Sequence, residues 1–171
     1  MTRGSSASRH AEQVLVQAKI NTPPVNVLSI VRSRDIKLRF GPLPNDLSGF
    51  LVHENGEALI GVNTLHTKAR QRFTLAHELG HYLLHPSDNF VDRKFILFRN
   101  ARSSQAVDSR EIEANEFAAA LLMPERFLQK LLKGETVDLE DEERVSQLAK
   151  TFGVSNQALI FRLINLHLAQ R

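Results

Sequence analysis

The chain is 171 residues long, 42% hydrophobic and 24% charged, which fits one globular domain with a sizeable core and excludes a disordered tail. It has no cysteine, which excludes a disulfide framework, a thiol nucleophile and any cysteine-built zinc or iron–sulfur site. The net charge is +3, yet residues 111–144 set ten acidic side chains against four basic ones, a pattern that argues against direct nucleic-acid binding.

Residues 1–9 are small and polar and read as a flexible N-terminus. Ala11, Val14, Leu15 and Ala18 fall at helical spacing, so a first helix is predicted over 10–19, ended by Pro23 and Pro24. Val27, Leu28, Ile30 and Val31 suggest a second helix, and 36–40 a short strand. Residues 49–53 and 57–63 flank Asn55-Gly56, whose preference for positive φ marks a tight β-hairpin. A helix over 67–85 is stopped by Pro86. The polar stretch 88–107 carries no clear pattern, although 95–98 could be a strand. The spacing from Asp108 to Glu111 is that of a capping box opening a helix that runs to Met123. Pro124 and Gly134 bracket the next helix, and two more are predicted near 140–152 and 155–168, with Ser155 as an N-cap. The expected fold is α+β: a small, mostly antiparallel sheet packed by several helices. Its predicted organisation is a core over 10–135 and a helical segment over 136–171 packed on it. No apolar run reaches the roughly 20 residues that span a bilayer. No apolar stretch near the start ends in a small-residue cleavage site, so a cytoplasmic location is expected.

Residues 77–81 read HELGH. Two histidines four apart share one helix face, so both imidazoles can reach one ion. Glu78 projects beside them, placed to act on water as a base without being a ligand. This is the HExxH pattern of zinc peptidases. The helix is otherwise largely apolar, through Phe73, Ala76, Leu79, Leu83 and Leu84, so its polar side chains need partners, and a metal supplies one for both histidines.

A catalytic zinc takes a third protein ligand. His85 is too far along the helix, about 12 Å from His77 at 1.5 Å per residue. His53, His66 and His167 have no supporting pattern. The helix predicted over 109–123 is the better source. There Glu113 shares a stripe with Phe117, Ala120 and Leu121, Glu116 shares part of that face, and Glu111 goes with the cap. Periodicity gives Glu113 only a small lead over Glu116.

Two blocks, RFTLAHELGHYLLH at 72–85 and EIEANEFAAALLMP at 111–124, with the weaker tail LAKTFGVSNQALIFRL at 148–163, resemble the ImmA/IrrE family of zinc metallopeptidases. The likeness spans most of 23–168. It implies a zincin-like core, one Zn²⁺ held by His77, His81 and Glu113 (the Glu of Glu-Ala-Asn), and Glu78 as catalytic base. It also implies a protein substrate, a helix-turn-helix repressor whose cleavage relieves repression in a mobile element, prophage or stress regulon.

Several points stay open in the sequence. Tyr82, His66 and His85 are all candidate donors to a developing oxyanion, and Tyr82, about 140° round the helix from His77, also fits a packing role. The strand that includes Gly61, Val62 and Asn63 could be an edge to which an extended substrate pairs, or an ordinary inner strand. The paired helices near the C-terminus resemble a helix-turn-helix. Their second helix carries Arg162 among many apolar residues, a composition that suits packing better than a DNA-binding regulator. A zinc-containing regulatory module without turnover, such as a toxin–antitoxin partner, is the other alternative.

Overall fold

The computed structural model describes residues 5–44, 46–86, 90–92 and 109–170. The strand expected at 95–98 and Asp108 of the expected capping box lie outside these.

Helix α1 spans Ser6–Gln17, so it starts earlier than the predicted residue 10. The Ser5 side chain accepts from the Ser8 amide and caps it. The apolar stripe extends back one turn, because Ala7 is buried with Ala11, Val14 and Leu15. From Ser5 onward the expected flexible terminus is therefore ordered helix; its small polar residues hid a cap and a core alanine. Helix α2 (Val27–Arg32) is capped by Asn26.

Strands β1 (Lys37–Gly41), β2 (Gly49–Glu54), β3 (Glu57–Asn63) and β4 (Phe90–Asp92) form a sheet in the order β1-β3-β2-β4. The hairpin β2–β3 turns at Asn55 and Gly56, with φ of 52° and 80°, the left-handed values the dipeptide predicts. β4 adds antiparallel to β2, and β1 adds parallel to β3. The sheet is thus mostly antiparallel within an α+β fold, as expected.

This order corrects one expectation. β3 is paired on both sides through residues 59–62, so Gly61 and Val62 offer no free edge to a substrate. A hairpin leaves one outer side on each strand; β1 takes that of β3, and β4 that of β2. Asn63 has a structural role as well. Its buried amide accepts from the Leu43 and Leu65 amides and donates to the Leu47 carbonyl, bracing the β1–β2 connection.

Helix α3 (Lys68–Leu84) packs on β2 and β3, α4 (Ser109–Leu122) packs on α3, and α1 packs on α4. α3 therefore lies between the sheet and another helix, and residues 73–81 are all buried. Helix α5 (Glu125–Leu132) follows Pro124 and ends in left-handed Lys133, with Gly134 next. β5 (Val137–Asp138) pairs in parallel with β6 (Ala169–Gln170) around α6 (Glu142–Phe152) and α7 (Asn156–Asn165). Ser155 caps α7 as expected.

The last two helices share the one core through Val145, Ala149, Phe152, Leu159 and Leu163. Two part-buried guanidiniums link them to the rest. Arg72 on α3 donates to the carbonyls of Phe152, Gly153 and Val25. Arg162 on α7 donates from Nε to the Met123 carbonyl at the end of α4, and burial lowers its pKa to about 10.

Candidate metal centre

Thr67 opens α3 by accepting from the Arg70 amide. The helix then carries His77, Glu78 and His81 through the core, each no more than 1% exposed. Gly80 sets how closely α4 can approach. A Cβ there would lie 3.2 Å from the Cα and the carbonyl oxygen of Ala114 and 3.1 Å from Phe117 Cδ1. Glycine against alanine lets the two backbones nearly touch, and this brings a carboxylate from α4 to the histidines.

That carboxylate is Glu111. Its Oε2 lies 3.2 Å from His77 Nε2 and its Oε1 3.1 Å from His81 Nε2, and the two Nε2 atoms are 3.0 Å apart. One donor atom from each residue lies within 4.8 Å of the others. Tetrahedral zinc with bonds of about 2.0–2.1 Å holds its ligand atoms about 3.3 Å apart. Two imidazoles and a carboxylate at these separations match that donor set, so the residues fit a metal ion.

Asn115, four residues after Glu111, supports the fit. Its Oδ1 lies 3.1 Å from His77 Nδ1 and can only accept, which favours a ring proton on Nδ1 and, once a metal displaces any proton on Nε2, leaves that nitrogen's lone pair for the ion. Burial alone would raise the Glu111 carboxyl, but hydrogen bonds and charge at His77 and His81 outweigh it and hold the group well below the usual carboxylate range. Burial lowers the pKa of His81 and favours its neutral, ligating form; the Glu111 hydrogen bond opposes this without reversing it.

Glu113, the expected third ligand, stands elsewhere. Its carboxylate lies 3.5 Å from His85 Nε2 and its side chain is 49% exposed. Two residues along a helix turn it about 200°, so Glu111 and Glu113 cannot both reach the His77–His81 pair. The stripe facing the histidines is Glu111, Ala114, Asn115 and Ala118, at spacings of three and four. Placing Glu111 with the cap concealed it; the small residue at 114 and the amide at 115 were the signal available. Glu116 is exposed and lies close enough to Arg162 to raise its pKa.

Glu78 is fully buried. A Cβ at Gly49 would lie 3.2 Å from its Oε1, so glycine at the start of β2 leaves room for the carboxylate. Tyr82 is half-buried and stacks on His53, with ring centroids 6.0 Å apart. The His85 ring lies 5.8 Å from that of His81. His66 precedes α3, and its carbonyl accepts from Gln71 Nε2.

Two histidines one turn apart, a glutamate between them and a carboxylate from a neighbouring helix are the apparatus of an HExxH metallopeptidase. The profile of the IrrE N-terminal-like domain matches residues 31–164, and the chain belongs to that family. It is 31% identical over 130 residues to the radiation response metalloprotease IrrE of Deinococcus radiodurans, covering 75% of this chain and 36% of that protein. It is 30% identical over 94 residues to the metallopeptidase ImmA of Bacillus subtilis, covering 53% and 52%. It is also 35% identical over 83 residues to the uncharacterized immunity region protein 2 of Bacillus phage phi105, covering 48% and 49%. The matches thus span about half or less of each relative. A Mycobacterium tuberculosis transcriptional regulator shares the fold, with a TM-score of 0.62 over 91% of this chain and 45% of that one, at 18% identity. Among the described residues no helix is long and apolar enough to cross a membrane.

Proposed function

We propose that this chain is a cytoplasmic zinc-dependent endopeptidase that cleaves a helix-turn-helix transcriptional repressor, with His77, His81 and Glu111 holding the zinc. The convergence of those three side chains beside a buried Glu78 carries the reading. His77, His81 and Glu111 would hold the ion through two imidazoles and one carboxylate, the sulfur-free donor set of catalytic zinc. Bound there, zinc would supply Lewis-acid polarisation of a carbonyl and lower the pKa of water. Glu78 takes the proton of the attacking water and delivers it to the leaving amine. Asn115 holds His77 in the ligating tautomer.

The substrate class rests on what two relatives are called, an immunity region protein and a radiation response metalloprotease, and on the resemblance carried by the two sequence blocks. The structure weakens the DNA-binding alternative, because the guanidinium of Arg162 is spent inward on Met123. The test is co-expression with candidate helix-turn-helix repressors from the same genome. Wild type should yield a cleavage fragment, and Glu78→Gln should retain zinc and yield none. Equal cleavage by both overturns the assignment of the base.

A further inference from the structure

Thr74 is fully buried one helical turn before Glu78 on α3. Its Oγ1 meets no hydrogen-bond partner among the described residues. A helical threonine commonly donates back to the carbonyl four residues earlier. Thr74 does not, so its hydroxyl proton is not used by the helix. A valine would fill the same space without burying a hydroxyl.

The direction of the neighbouring side chain is fixed by helix geometry. Long side chains lean toward the helix N-terminus, over the residues three and four positions before them. For Glu78 these are Leu75 and Thr74, and only Thr74 is polar. Both side chains also flank the same glycine: a Cβ at Gly49 would lie 2.4 Å from Thr74 Cγ2 and 3.2 Å from Glu78 Oε1.

We infer that Thr74 is a positioning residue for Glu78. Its hydroxyl donates to the Glu78 carboxylate through one buried water and turns the other oxygen toward the metal pocket. The catalytic half of this inference rests on Glu78 being the base; the contact itself does not.

A thermal double-mutant cycle on the zinc-loaded chain tests the contact without a substrate. Thr74→Val should shift the Tm by different amounts when residue 78 is Glu and when it is Ala. Equal shifts in the two backgrounds overturn the inference. Steady-state cleavage of the purified repressor tests the consequence. Thr74→Val should lower kcat roughly ten- to a hundredfold, the size typical of losing a group that orients a reactive side chain, with KM unchanged. Thr74→Ser, which restores the hydroxyl, should recover most of the loss. A wild-type kcat in Thr74→Val, or equal impairment in Thr74→Ser, counts against positioning. Coupled Tm shifts with no cleavage by the wild type would instead uphold the contact and overturn the peptidase reading.

Discussion

At the scale of single residues the site depends on which nitrogen carries a proton. Asn115 fixes that for His77 by accepting from Nδ1. Asn115→Ala should leave the three ligands in place and weaken zinc binding by roughly 10- to 100-fold, measured by competition with a chromogenic chelator. Unchanged affinity would mean that the tautomer is set otherwise. The sign of the pH dependence follows from His81. Its folded pKa is depressed below the ordinary value of about 6.5, so the unfolded chain takes up the proton first. That contribution to the stability of the zinc-free chain is present above the histidine range and is lost as the pH falls through it. Melting of the apo chain between pH 8 and pH 5 should show the Tm falling with acid, and His81→Asn should flatten the slope.

At the scale of elements the centre is a product of two helices meeting closely. His77 and His81 were legible because their spacing matches one turn of one helix, a local property. The third ligand was not, because its choice depends on which face α4 turns to α3. Glu113 lies on a plausible apolar stripe with Phe117 and Leu121, yet Gly80 seats Ala114, and that contact turns Glu111 inward. Gly80→Val should therefore force the helices apart, with lower zinc occupancy and a lower Tm together. Metal analysis and thermal melting read both, and a zinc-loaded variant of wild-type Tm would show that the approach is not what brings Glu111 in. The inner position of β3 was hidden for a related reason. Alternation along 57–63 identifies a strand but not its neighbours, and the parallel partner β1 lies about twenty residues earlier.

At the scale of the molecule the C-terminal helices belong to the same core as the metal helix. The apolar faces of α6 and α7 were readable in the sequence as core-seeking. The guanidiniums that fasten them, Arg72 across to α6 and Arg162 across to α4, were not, because each meets main-chain carbonyls distant in sequence. Phe152→Ala should cost about 3–5 kcal/mol of stability and leave one cooperative denaturant transition. Two separate transitions would show that 136–171 folds as its own unit. The whole arrangement places one carboxylate, from 111 and not from 113, at a buried pair of histidines. Zinc content of the purified chain measures this most directly. Wild type and Glu113→Ala should each hold about one zinc per chain, as the open three-ligand site requires, and Glu111→Ala should lose most of it. Zinc retained by Glu111→Ala and lost by Glu113→Ala would contradict the assignment.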